Sequence, residues 1–136
     1  MAANGRFDAM TALVTGGASG IGCAVASRLI AEGGLVTLWD VDQAELDAAQ
    51  ARFGPKARAK RVDITNAAEV ERAAKDADAA MGHIDILVCS AGVAGLNAVV
   101  VDYPIEEWKR VFDVNINGLF YCNRYVGSLM KARGYG

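Results

Sequence analysis

Thr11-Ala12-Leu13-Val14-Thr15-Gly16-Gly17-Ala18-Ser19-Gly20-Ile21-Gly22-Cys23 decides how the rest of the chain is read. A short β-prone run meets a glycine cluster and then a helix-compatible stretch, the sequence form of a strand, a tight turn and a helix N-terminus. Glycines let backbone approach an anion, and the free N–H groups of a helix start carry partial positive charge, so the stretch predicts a phosphate-binding turn. The spacing is Gly16-x-x-x-Gly20-x-Gly22, looser than G-x-G-x-x-G, and Cys23-Ala24 stand where a Walker A loop needs Lys and Ser or Thr. A plain tight turn is the competing reading of the glycines alone. Their position after the first strand weighs against it.

Outward from this turn, strand and helix signals alternate. Ala9 to Thr15 supplies the first strand, and the helix after Gly20 sets Ile21, Val25 and Leu29 on one predicted face before Gly33-Gly34 stop it. Leu35 to Trp39 is a short continuous apolar run that ends in Asp40, as expected for a strand covered on both faces. A second helix places Leu46, Ala49 and Phe53 on one side and ends at Gly54-Pro55. Lys56, Arg58 and Lys60 then alternate with small or apolar residues. A phosphate or nucleic-acid patch is one reading; an edge strand guarded by charge is preferred, because the third strand of a doubly wound sheet lies at its edge.

Asn66 and Glu69 have the spacing of a capping box, and Val70, Ala74, Ala77 and Met81 form the stripe of the next helix. His83, the only histidine, follows Gly82 with no second histidine beside it and reads as a connector, so no metal site is expected. Ile84 to Val88 is a fourth strand, Val93 to Asp102 a loop or short helix, and Pro104 the first residue of a helix that runs through Trp108, Phe112, Leu119, Tyr121 and Met130. The predicted fold is α/β: a doubly wound parallel sheet between two helix layers, a Rossmann fold of four β-α units. Residues 1–136 make a single domain with no linker or repeat.

Composition narrows the partners. A net charge of −2 lacks the basic face that counterion release on nucleic acid requires. Met1 to Phe7 contains no apolar signal segment, and no run of about 18 apolar residues appears, so neither export nor a membrane partner is expected. Cys23, Cys89 and Cys122 are odd in number and far apart, which suits small core thiols in a reducing cytoplasm.

Asp40 sharpens the phosphate reading. It lies eighteen residues beyond Gly22, close to the ~20-residue offset at which an acid accepts hydrogen bonds from an adenosine ribose. A carboxylate there repels a 2′-phosphate, and no Lys or Arg stands in the glycine loop or directly after Asp40, so NAD is expected over NADP. A helix cap for the segment from Val41 is compatible with the same position.

At this point the chain resembles the short-chain dehydrogenase/reductase family over nearly its whole length. Gly16, Ser19, Gly20, Ile21 and Gly22 belong to a stretch that resembles that family's cofactor loop, and Asp63-Ile64 resembles its adenine-contacting pair. Cys89-Ser90-Ala91-Gly92 falls where the family usually has Asn-Asn-Ala-Gly, so Cys89, Ala91 and Gly92 join the expected cofactor contacts. Val114-Asn115-Ile116 resembles the segment that bears the family's catalytic asparagine. Asn115 also stands out by periodicity, because it shares a helical face with Trp108, Val111, Phe112 and Leu119. An amide there either pins helix to sheet or, as the resemblance implies, links a proton relay.

The resemblance implies hydride transfer between NAD(H) and a small-molecule secondary alcohol or ketone, in an enzyme that commonly forms dimers or tetramers. It also implies a serine and a Tyr-x-x-x-Lys pair, and these are missing. Four residues after Tyr103 stands Glu107, after Tyr121 stands Tyr125, after Tyr125 stands Leu129, and Tyr135 has no such position. The expectation is therefore the N-terminal, cofactor-binding part of an NAD-dependent dehydrogenase, inactive alone, with Gly134-Tyr135-Gly136 turning toward a fifth strand. The alternatives are a non-catalytic NAD-binding or regulatory module and a methyltransferase-like nucleotide enzyme, the latter disfavoured by Asp63-Ile64 and Asn115.

Overall fold

A computed structural model describes residues 5–136; Met1 to Asn4, part of the segment read for a signal, lie outside the described residues. The elements follow in the order β1 (Thr11–Thr15), α1 (Gly20–Ala31), β2 (Leu35–Asp40), α2 (Gln43–Phe53), β3 (Ala57–Arg61), α3 (Ala67–Met81), β4 (Ile86–Cys89), α4 (Ile105–Phe112) and α5 (Leu119–Arg133). The four strands form one sheet in the order β3-β2-β1-β4, every pair parallel. The chain therefore leaves β1 toward one edge and returns to its other side at β4. That reversal opens a crevice at the carboxyl ends of the strands.

Alternation along the strands divides the core in two. Ala12, Val14, Val36, Leu38 and Ala57 face α1 and α2, where Ala26, Leu29, Leu46 and Ala49 cover them. Leu13, Trp39 and Val62 face the opposite layer, where Val70, Ala74, Cys122 and Val126 are buried. β1 is buried at all five residues because it has strands on both sides and helices on both faces.

Several local expectations change in the fold. The buried face of α1 is Gly22, Cys23, Ala26 and Leu29, while Ile21 is 79% exposed. Within the first turn of α1, Gly22 and Cys23 turn inward, whereas Ile21 points to the crevice at the carboxyl ends of the strands. Pro104 precedes α4 as its N-cap, not its first residue. The long helix is broken at Asp113–Gly118 by a π-helical turn. Trp108 and Phe112 before that turn and Leu119 after it are exposed, whereas Asn115 within it is half-buried, so they do not share a buried face with Asn115.

Asn66 caps α3 by accepting from the Glu69 N–H at 3.1 Å, but the Glu69 carboxylate accepts instead from the Asp63 N–H at 3.1 Å, so the reciprocal half of the capping box ties α3 to the end of β3. β3 is an edge strand as expected. Its outer backbone is covered by Gln50, which accepts from the Ala59 N–H at 2.9 Å and donates to the Ala57 carbonyl at 2.8 Å. β4 is only half-buried along its length, and His83 is a connector whose carbonyl accepts from Thr11 Oγ1 at 2.6 Å. Gly134 ends α5 in the left-handed conformation.

Candidate functional site

The crevice at the carboxyl ends of the strands has a volume of about 330 Å³. Each strand end contributes to its wall: Gly16 and Ser19–Ile21 after β1, Asp40 and Val41 after β2, Val62–Ile64 after β3, and Ser90–Val93 after β4. Of the residues expected at a cofactor site, Gly16, Ser19, Gly20, Ile21, Asp40, Asp63, Ile64, Ala91 and Gly92 line it. Gly22, Cys89 and Asn115 stand behind it.

Backbone approach is set at two glycines. Gly16 has φ +61°, and a Cβ there would come within 2.7 Å of Ala91 Cα, so β1 and the segment after β4 meet at this point only without a side chain. At Gly22 a Cβ would collide with the carbonyl oxygen of Gly16, so the first turn of α1 folds directly against the loop that precedes it. Ser19 is the N-cap of α1 in extended conformation, its side chain makes no capping hydrogen bond, and no acid occupies the first turn. The positive end of a twelve-residue helix therefore faces the crevice with no capping side chain and no acid in its first turn.

Asp40 closes the opposite wall. Its Oδ2 accepts from the Ala18 N–H at 3.3 Å and its Oδ1 from the Val41 and Asp42 N–H groups at 2.8 and 3.3 Å. The helix cap that was an alternative role for Asp40 belongs to Asp42, which accepts from the Glu45 N–H at 3.1 Å. Asp40 instead binds the glycine loop to the β2 end and keeps a carboxylate on the crevice wall. Asp63 forms a tight local turn, its Oδ1 accepting from the N–H and hydroxyl of Thr65 at 2.9 and 2.7 Å. Its neighbour Ile64 supplies apolar wall.

On the β4 side, Thr15 ties the end of β1 to the segment after β4. Its carbonyl accepts from the Ser90 N–H at 3.2 Å and its Oγ1 from the Ala91 N–H at 3.2 Å. Cys89 turns the other way, toward α5, where Asn123 Nδ2 approaches its sulfur at 3.6 Å. Burial pushes the Cys89 thiol up, and the Cys122 thiol, also buried and close to Cys89, up to about 12, so both are protonated apolar fillers.

Asn115 pairs both ends of its amide with one residue: Oδ1 accepts from the Val93 N–H at 2.8 Å and Nδ2 donates to the Val93 carbonyl at 2.9 Å. The amide pins the segment after β4 to the π-helical turn, directly behind Gly92. Sequence reasoning missed Val41, Val62, Val93 and Val114 as wall residues. Their only signal was adjacency to the motifs, since apolar side chains at strand ends read as core.

A glycine cradle, an open helix N-terminus, an acid at the end of the second strand and an apolar slot at the third fit the pyrophosphate, ribose and base of a dinucleotide in that order. Among the described residues no group of acids, histidines and cysteines could hold a metal. Fold and site together define a Rossmann-like α/β protein. The short chain dehydrogenase family model matches residues 10–136, and the chain belongs to that family.

The chain is 48% identical over 132 residues to the 2-dehydro-3-deoxy-L-rhamnonate dehydrogenase (NAD(+)) of Sphingomonas sp. (strain SKA58), covering 97% of this chain and 53% of that one. It is 34% identical to a probable NADP-dependent mannitol dehydrogenase of Yarrowia lipolytica (strain CLIB 122 / E 150), covering 92% of this chain and 46% of that one. The crystal structure of an NAD+-bound xylitol dehydrogenase superimposes with a TM-score of 0.93 at 34% identity, over 96% of this chain and 52% of that one. The chain thus spans about half the length of the relatives it matches.

Proposed function

We propose that residues 1–136 form the NAD-binding domain of a dehydrogenase or reductase that moves a hydride between NAD(H) and a small-molecule secondary alcohol or ketone. The observation that carries this reading is the convergence, on one crevice, of the uncapped α1 N-terminus, Asp40 and the Asp63-Ile64 pair. Gly16, Ser19, Gly20 and Ile21 would hold the pyrophosphate through backbone N–H groups. Asp40 would accept from the adenosine ribose, and Ile64, Ala91 and Gly92 would flank the rest of the dinucleotide. Bound NAD supplies the hydride acceptor, and NADH the donor.

Asn115 acts through Val93, holding the β4-side wall in place; a relay role, as the family resemblance implies, would use the same segment. The names of the relatives, a deoxy-rhamnonate and a mannitol dehydrogenase, support a polyhydroxylated substrate. Among the described residues no helix is long and apolar enough to cross a membrane, and the three free cysteines support a reducing, cytoplasmic site of action. The exposed apolar residues Ile105, Trp108 and Phe112 on α4 support a homo-oligomer.

A second reading, a non-catalytic NAD-binding module, would use the same crevice and differ from the first only in turnover. Titration calorimetry with NAD+ and NADP+ tests the cofactor reading. Asp40→Ala should weaken NAD+ binding by about tenfold, the worth of one charge-assisted hydrogen bond, and narrow the preference over NADP+. Unchanged selectivity would remove the ribose role from Asp40. Turnover of an alcohol separates the enzyme from the binding module.

A further inference from the structure

Asp40 does not stand alone at the ribose end. The β2–β3 register pairs it with Arg61, and in-register neighbours of a parallel sheet point to the same face, here the face that carries α1 and α2. Arg61 is exposed, and its Nε donates to the Val41 carbonyl at 3.1 Å. Val41 is itself a wall residue of the crevice. One N–H therefore tethers the guanidinium to the rim while its two terminal nitrogens have no partner among the described residues. Lys60, next along the strand and on the other face, is by contrast paired with Asp76 at 2.6 Å.

We propose that Arg61 is a second selectivity residue of the dinucleotide site, offering its guanidinium to a phosphate on the adenosine ribose in opposition to Asp40. The inference rests on the dinucleotide reading above. An arginine fork matches the geometry of a phosphate and binds it through parallel N–H groups, whereas an unphosphorylated ribose gains little from it. With Asp40 present, carboxylate repulsion holds a 2′-phosphate off and Arg61 contributes little. Without Asp40, Arg61 becomes the charge that the phosphate meets first. The selectivity of the site is then a balance between two residues on neighbouring strands, although the residue directly after Asp40 is uncharged.

The test is calorimetric titration of the wild type, Asp40→Ala, Arg61→Ala and the double variant with NAD+ and NADP+ at two salt concentrations, with circular dichroism confirming a common fold. In the Asp40→Ala background, Arg61→Ala should weaken NADP+ by about tenfold and NAD+ by less than about twofold, and the NADP+ effect should shrink as salt rises. Arg61→Gln, which keeps an N–H for Val41 but no charge, should behave like Arg61→Ala. Equal losses for both dinucleotides would reduce Arg61 to a brace for Val41 and overturn the proposal. Unchanged NADP+ affinity alongside retained NAD+ binding would also overturn it while leaving the reading of the crevice intact. Failure of the wild type to bind either dinucleotide would overturn both.

Discussion

The two ends of the sheet use polar groups in opposite ways. At the amino ends of β1 and β4, Asp85 is 8% exposed and nearly every one of its oxygen lone pairs is engaged. Its Oδ2 accepts from the Thr11 N–H at 2.9 Å and lies 3.0 Å from His83 Nε2, while its Oδ1 accepts from Arg133 Nη2 at 3.0 Å. Arg133 also donates to the Ile84 carbonyl at 3.0 Å, so the last turn of α5 is fastened to the sheet. At the carboxyl ends, the α1 N-terminus has no capping side chain and the crevice stays open. One end is closed on itself and contributes stability; the other keeps donors for a ligand.

The largest expected effect breaks the closed end. Asp85→Ala leaves the buried Thr11 N–H and hydroxyl without their carboxylate acceptor and frees the exposed Arg133 from the sheet, and should lower the unfolding free energy by about 2–3 kcal/mol, read by denaturant titration. The NAD+ affinity of the folded variant should stay within about twofold, since the site lies at the opposite end and distant sites act independently. A loss of affinity as large as the loss of stability would merge the two ends into one unit.

The same end predicts an acid dependence. Burial pushes the Asp85 carboxyl up, but hydrogen bonds from Thr11 and Arg133 and the nearby charges of His83 and Arg133 outweigh it and hold the group below the usual carboxylate range. A lowered folded value means that the contribution is complete above the unfolded value, about pH 4, and is lost as pH falls through the folded value. Asp85→Asn should therefore show a shallower acid loss of stability than the wild type in melts taken from neutral pH to about pH 2. Parallel curves would remove Asp85 from acid unfolding.

Gly22→Ala attacks the open end, where a methyl group would meet the Gly16 carbonyl. Displacing the loop should cost about 2 kcal/mol of stability. It should weaken NAD+ by at least about tenfold, because the N–H groups facing the ligand would move with the loop. Preserved affinity would show that the loop adapts. Asn115→Ala has the smallest expected effect, about 1–2 kcal/mol, because it removes two hydrogen bonds from a half-buried backbone. A drop in NAD+ affinity without a matching stability loss would make Asn115 a positioning residue for the crevice wall.

Legibility in the sequence followed the range of the interaction. The four β-α units, the caps at Gly33 and Asn66, the glycine turn and Asp40 follow from spacing, because each depends on neighbours within a turn or a strand length, whereas Asp63-Ile64 and Ala91-Gly92 entered the crevice reading only through the family resemblance. The face of α1 and the single long helix did not. Ile21 reads as a core position at four-residue spacing, yet it is exposed on the crevice wall while Gly22 and Cys23 of the same turn are buried. The π-helical turn at Asp113–Gly118 shifts the period without any glycine or proline at its start to announce it.

By itself the sequence determined that a strand, a glycine turn and a helix open this chain, that Asp40 follows eighteen residues beyond Gly22, and that a charge balance of −2 lacks the basic excess that nucleic acid binding requires. These are local patterns, and backbone sterics and residue chemistry decide them. Only the tertiary structure decided which residues meet across the crevice. It turned Cys89 toward α5 while Thr15 tied the end of β1 to the β4 end, spent both ends of the Asn115 amide on Val93, and laid Arg61 beside Asp40. Those pairings join residues from about 20 to more than 70 positions apart, where strand order and register, not local preference, choose the partner.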